Sequence, residues 1–524
     1  MQGVSIGGRE FPPVVWYKHA CLRKLYFLIA VIWLSSATGG FDGTMMNGLQ
    51  TLSYWEDYFH NPSPPTLGLM NAIVPAGNLL VNFFVPYMAD NWGRRTTLII
   101  GDLILFVGIA LQTGATNMGM FIAARFIGGV GSSFGTGPYL ITELAHPQHR
   151  ATVTAIYNTC YYIGAIIAAW ATYGTLTIQS QWAWRLPSLL QFVTPVIQFS
   201  LIWFVPESPR FLISKDRPDE ARAILDKYHG PASGPEFVQA EFDEIYHTIR
   251  LEKQFAKKGW KELWSTKGNR HRFAICLALG IFANTAGNTI LSYYLHQVLD
   301  SIGITSSRKQ LQINGAVQIY NWVFALGVTF FVDKIGRRRL FLISVGGMLM
   351  VFIAWTVCSA LYTEHQQPGP AKGVLACIFL YYSFYDMAWS GLYQAYACEI
   401  LPYDLRAKGL AVVVICAYAA SFFGNYVNPI GLANSGWKYY LLYDCWLVVI
   451  WVTIYFLFVE SKNTTLEEIS VIFDGEDALV GGGLEMTKRE RELNELKSNA
   501  VEYVEKVRLS KLDFVADADE VFCR

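Results

Sequence analysis

The sequence predicts an all-α membrane protein: twelve transmembrane helices in two six-helix parallel-repeat halves, with a cytoplasmic helical linker between them. Three observations predict it: the composition, the spacing of apolar runs, and a charge signature that occurs twice. Of 524 residues, 53% are apolar, 15% aromatic and only 16% charged, against about 25% charged in soluble globular chains. The 41 basic and 41 acidic side chains balance, so nothing draws the chain towards nucleic acid. Nine cysteines, mostly isolated in apolar runs and without a CxxC pair, fit no secreted disulfide scaffold.

A bilayer-crossing helix needs about 20 mainly apolar residues. Runs of that kind lie near 25–47, 67–89, 96–114, 119–142, 152–174 and 186–205, and again near 272–297, 312–332, 340–362, 373–398, 409–430 and 438–458. One such run is compatible with a buried core helix; twelve leave no soluble alternative. Residues 1–24 are polar and proline-broken, unlike a secretory signal. Lys and Arg collect after the even-numbered spans, at Arg94, Arg95, Arg150, Lys334, Arg337, Arg338, Arg339, Arg406 and Lys408, and through the segment Glu207 to Arg272. The connections after spans 1 and 3 have none. Positive residues stay inside, so both termini are expected in the cytoplasm of a multi-pass plasma-membrane protein.

The charge clusters recur. Asp90-Asn91-Trp92-Gly93-Arg94-Arg95 returns as Asp333-Lys334-Ile335-Gly336-Arg337-Arg338, Glu143 to Arg150 returns as Glu399 to Arg406, and Pro206-Glu207-Ser208-Pro209-Arg210 has a weaker echo in Glu460-Ser461-Lys462. Each half therefore carries six spans with clusters after its second, fourth and sixth. Because six is even, the halves enter the membrane from the same side and are parallel repeats, an arrangement that puts a substrate near the midplane between them. The expected organisation is an N-terminal segment 1–24, a first half 25–206, a linker 207–271 of short amphipathic helices, a second half 272–460 and a cytoplasmic tail 461–524, helical over 487–507.

These motifs together resemble the sugar porter family of the major facilitator superfamily, from about Phe27 to Glu468. Finer features are similar to a fungal branch that includes lactose and cellodextrin permeases: Phe41 to Gly48, Gly287-Asn288 before Ser292-Tyr293-Tyr294, Ile313-Asn314-Gly315, and Asn428-Pro429-Ile430 before Gly436-Trp437-Lys438-Tyr439-Tyr440. The resemblance implies the major facilitator fold and proton-coupled import of a disaccharide or oligosaccharide, of the lactose or cellobiose kind. A sugar receptor with little flux, using a cytoplasmic partner on the linker or tail, and an uncoupled hexose facilitator are the alternatives.

Asp42 lies about 17 residues into span 1, some 25 Å from the cytoplasmic end, and Arg125 about six residues into span 4, roughly 10 Å below the opposite face. Each costs about 2.5–3.5 kcal/mol unpaired at a helix centre, so pairing beside a wet cavity is the least costly arrangement. In proton-coupled sugar porters an equivalent pair is thought to alternate; otherwise Asp42 is a structural residue in a glycine-rich break. Arg125 to Glu143 is two residues shorter than the family pattern, which rotates one against the other by about 200°.

For the sugar, the family pattern falls on Asn158, Asn284, Asn288, Thr289, Asn321 and Gln394, with Trp389 nearby. Ala283 replaces one amide, and Gly391 the familiar span 10 proline. Amides bond ring hydroxyls and aromatic faces stack on C–H surfaces, although a lone amide also serves helix–helix bonding. Tyr293 and Tyr294 either gate the cavity or anchor at the interface. Arg94, Arg95, Arg150, Arg337, Arg338 and Arg406 are expected to pair across the halves with Asp90, Glu143, Glu207, Asp333, Glu399 and Glu460, closing an inner gate; anchoring by positive charge alone is the other reading. His146 and His149 lack further ligands for a metal, and Gly128-Gly129-Val130-Gly131 sits inside an apolar helix rather than a phosphate loop. No catalytic set is present, so neither an enzyme nor a cofactor is expected. The expected partners are sugar, proton and lipid bilayer.

Overall fold

The computed structural model describes residues 4–6, 9–255, 260–329, 335–402, 405–462, 469 and 472–474. Asp333 and the proposed tail helix 487–507 lie outside them. Each of the twelve apolar runs is a helix or a broken helix. In the first half these are Ala20–Leu49, Pro64–Val81 with Val85–Trp92, Arg94–Thr113, Met118–Ser133 with Gly137–Leu144, Arg150–Thr175, and Trp182–Leu190 with Val193–Leu201. In the second they are Lys267–Thr285 with Asn288–Ser301, Ser307–Thr329, Arg337–His365, Pro368–Ala388 with Leu392–Ile400, Arg406–Ser435, and Tyr439–Leu457. Among the described residues, seven segments are long and apolar enough to cross a membrane, the last of them covering spans 11 and 12, and the two pieces of span 2, bent by 50°, make an eighth. Span 4 is divided at 134–136, span 10 at 389–391, and span 8 opens with Arg308 and Lys309.

The packing follows from small residues where helices cross. A Cβ on Gly40 would strike the Tyr161 carbonyl and one on Gly164 the Ala37 carbonyl, so spans 1 and 5 touch backbone to backbone. Spans 2 and 11, and spans 5 and 8, pack against each other between the halves. A second pattern repeats: Gly93 has φ +98° and Gly336 φ +101°, each just before an arginine helix.

One detail departs from an all-helical chain. Val4–Ile6 and Arg9–Phe11 form an antiparallel hairpin, too short for its alternation to stand out in sequence. Phe11 meets Phe237 edge-on at 5.1 Å. Between the halves, Pro209–Ser214, Pro218–Tyr228, Gly230–Ser233 and Pro235–Phe255 are helices; Phe211, Leu212, Ile213, Ala221 and Ile249 form their common core. Residues 261–273 and the described tail residues from 469 onwards belong to a second compact unit. Within it Arg272 grips Asp474 with two nitrogens, at 3.0 and 2.7 Å, and lies over the Phe473 ring.

Candidate transport site

Arg125 is 1% exposed, and its Nη1 lies 3.3 Å from Asp42 Oδ1. Its Nε donates to the Met70 carbonyl at 3.1 Å, and Gln191 Nε2 donates to the same Asp42 oxygen at 3.1 Å. Spans 1, 2, 4 and 6 thus converge on one ion pair. The shortened span 4 does not disturb it, because the break at 134–136 lets the helix carrying Glu143 turn independently of the one carrying Arg125.

Asp42 lines a cavity of about 390 Å³ whose walls also hold Asp102, Tyr161, Gln191, Tyr293 and the break residues Phe134 and Gly135. A neighbouring cavity of about 280 Å³ shares Ser36, Gly43 and Tyr161 with it. The second cavity brings together Asn158, Asn284, Asn288, Asn321 and Trp389, five of the seven positions expected to face sugar. Asn288 donates through Nδ2 to Tyr385 Oη at 2.9 Å, and Asn284 to the Ala417 carbonyl at 3.1 Å. The Oδ1 atoms of Asn288 and Asn321 have no partner.

Thr289 and Gln394 do not join them. Thr289 is buried away from both cavities and accepts a hydrogen bond from Asn428 Nδ2 at 2.9 Å. Gln394 is exposed and donates to Tyr393 Oη at 3.0 Å. The reason is the same for both: each follows a helix break, at Gly287 (φ +112°) and at Trp389 to Gly391, so a register counted along a continuous helix points the wrong way. Conversely, Asp102, Gln191, Tyr162 and Asp386 line these cavities and were not singled out in the sequence. For Asp102 and Asp386 the signal was present, namely an acid inside an apolar run.

The tyrosine pair divides. Tyr293 faces the larger cavity, and its carbonyl accepts from Gln50 Nε2 at 3.2 Å. Tyr294 is fully buried at a kink and donates to the Asn425 carbonyl at 2.6 Å.

The arginine clusters correct an expectation. Among the described residues their ion pairs run within each half rather than between halves. Arg94 meets Glu143 at 3.1 Å and Asp90 at 3.3 Å; Arg337 meets Glu399 at 3.0 Å. Glu207 accepts the backbone N–H of Arg94 and Arg95, and Glu460 that of Arg337 at 2.7 Å. Each glutamate thereby sits at the positive N-terminus of an arginine helix, where an anion is favoured, and the positive φ of Gly93 or Gly336 opens room for it. Burial still pushes the Glu207 carboxyl above its ordinary pKa, against the pull of the N–H donors of Ser208, Arg95 and Arg94. Arg95 and Arg338 bond backbone carbonyls, of Val205 and Tyr455. Arg150 is exposed and makes no ion pair among the described residues, and Arg406 begins span 11. Links between halves lie elsewhere: Gln50 to Tyr293, Arg308 and Gln312 to Tyr173, Asn425 to Asn71, Asn47 to Asn314, and Tyr162 to Asp386. These are at mid-depth or on the side away from the arginine loops.

Two six-helix repeats meeting along a polar interior at membrane depth define a multi-pass membrane transporter of the major facilitator fold. A family model described as "Sugar (and other) transporter" matches residues 28–473, and the chain belongs to that family, one of transporters rather than enzymes. It is 27% identical over 448 residues to the MFS-type transporter criB of Aspergillus cristatus, covering 84% of this chain and 92% of that one. It is 26% identical over 484 residues to a high-affinity glucose transporter of Kluyveromyces lactis, covering 88% and 87%. Among solved structures, the xylose transporter XylE from E. coli in an inward-open conformation superposes with a TM-score of 0.72 at 22% identity, covering 86% of this chain and 100% of that chain.

Proposed function

We propose that this sugar transporter imports a disaccharide or oligosaccharide, of the lactose or cellobiose kind, together with protons across the plasma membrane, with both termini in the cytoplasm. The observation that carries the reading is the Asp42–Arg125 pair: a carboxylate matched to a buried guanidinium, and also in the wall of a cavity. A proton arriving from that cavity neutralises Asp42 and releases Arg125. Asn158, Asn284, Asn288 and Asn321 bond sugar hydroxyls in the adjoining cavity, and the larger cavity, which shares the wall residues Ser36, Gly43 and Tyr161 with it, gives a second ring a place to sit. The Arg–Glu clusters brace the ends of spans within each half while the halves rock.

A hexose is the second reading for the substrate, favoured by the size of each cavity taken alone, about 390 and 280 Å³, one just above and one just below the lower end of ordinary ligand pockets. Uptake of radiolabelled cellobiose, lactose, maltose and glucose into yeast lacking its hexose transporters, with and without a protonophore, separates these. Accumulation of a disaccharide that collapses with protonophore is the expected result. Equilibrating uptake of glucose alone would overturn both the coupling and the substrate class.

A further inference from the structure

The wall of the smaller cavity contains a charge that a neutral sugar does not need. Asp386, on span 10, is 6% exposed. Its Oδ1 accepts the Tyr162 hydroxyl across the two halves at 2.7 Å, while its Oδ2 has no partner. Unlike Asp42, which has Arg125 and Gln191, it faces no cation among the described residues. Among the described residues neither cavity has a Lys, Arg or His in its wall. The larger cavity adds a second acid of the same kind: Asp102 is 4% exposed with Oδ2 unpartnered. A carboxylate at this depth is costly to keep without a counter-charge, and amides and hydroxyls already suffice for sugar hydroxyls. Around Asp386 the same wall carries the rings of Tyr162, Tyr382, Tyr385, Tyr393 and Trp389, and aromatic faces attract ammonium groups.

We infer that Asp386 is the counter-ion for a protonated amine, so that among the sugars this cavity admits one bearing an ammonium group binds more tightly than its neutral counterpart. The ammonium sits on Asp386 Oδ2 against the tyrosine faces, while Asn288 and Asn321, whose Oδ1 atoms are free, take the hydroxyls. The inference rests on the reading that this cavity holds sugar, and names its class.

The test compares uptake of glucosamine, glucose and N-acetylglucosamine at about pH 6, where an amine is protonated, in the same yeast. A charge-assisted bond is roughly twice as strong as a neutral one, so glucosamine is expected to show a KM about tenfold below the other two. Asp386→Asn should bring the glucosamine KM to that of glucose in the same variant, and Asp386→Glu should retain the preference; surface fluorescence and a single gel-filtration peak establish that each variant folds. Equal KM values in the unaltered protein, or a preference that survives Asp386→Asn, overturn the inference while leaving sugar transport intact. Neutral-sugar uptake whose pH dependence vanishes in Asp386→Asn, without any amine preference, makes Asp386 a proton carrier and also overturns it. Uptake of none of these sugars or of the disaccharides, from protein at the surface, removes the sugar reading itself.

Discussion

Replacing Asp42 by Asn is the most direct perturbation of the proposed coupling. The substitution keeps the shape of the side chain and removes its charge, leaving Arg125, 1% exposed, with neutral oxygen acceptors such as the Met70 carbonyl and no anion. Two unit charges about 4 Å apart attract by about 4 kcal/mol at an effective dielectric constant of about 20. Asp42 is 23% exposed, so cavity water screens part of this, and about 3 kcal/mol is the working figure, at the lower edge of what breaking a buried pair costs. That is on the order of 100-fold in any equilibrium that makes or breaks the pair. A protein whose cycle is driven by protonating Asp42 loses that drive altogether. Asp42→Asn should therefore exchange labelled for unlabelled sugar across the membrane yet no longer accumulate it, and protonophore should have no further effect. Protein carrying Asp42→Asn that still concentrates sugar, and still releases it on adding protonophore, would refute the assignment.

Three other outcomes follow from the geometry. Asn321→Ala removes a buried amide oxygen that waits for a donor in the smaller cavity; losing one hydrogen bond of about 1–1.5 kcal/mol should raise KM about tenfold with little change in maximal rate, measured by concentration-dependent uptake. Gly93→Ala and Gly336→Ala each force a side chain into a positive-φ position, costing about 1–2 kcal/mol, and push against Glu207 or Glu460 respectively; both should lower the melting temperature of the purified protein, and a change at only one would show that the repeats differ mechanically. The third concerns pH. His146 bonds Ser233, stacks on Phe237 and has its pKa lowered to about 3, chiefly by burial and then by His229. A base with a depressed folded pKa is bound by fewer protons folded than unfolded, so stability falls as pH drops from about 6.5 towards about 3, by about 1.4 kcal/mol per pH unit. Protection factors for amide exchange in Pro235–Phe255, taken relative to the intrinsic exchange rate at each pH, should fall over that range, and His146→Phe, which keeps the stack, should flatten the dependence.

What could be read from sequence and what could not divide along a physical line. Spans were legible because crossing a bilayer demands length and apolarity, whatever the neighbours do, and the repeat was legible because its charges sit at span ends. The helix-capping glutamates were not: Glu207 lies more than a hundred residues from the N–H groups of Arg94 and Arg95, and no local pattern announces so distant a cap. The failures inside the membrane share a cause. Placing Thr289 and Gln394 by counting along spans 7 and 10, and doubting Arg125 because span 4 is short, both assume an unbroken helix, whereas all three spans are broken. Non-helical backbone is tolerated at membrane depth only where protein buries it or a wet cavity receives it. Phe134 and Gly135 of the span 4 break face the larger cavity, and Trp389 and Ser390 of the span 10 break face the smaller one. In spans 4 and 10 the positions where helical register fails therefore line the two cavities, whereas the span 7 break at Gly287 is packed against Phe352 and Tyr381. In this chain an interruption in an apolar run is as good a pointer to the site as any motif, and Asp386, three residues before Trp389, stands beside one.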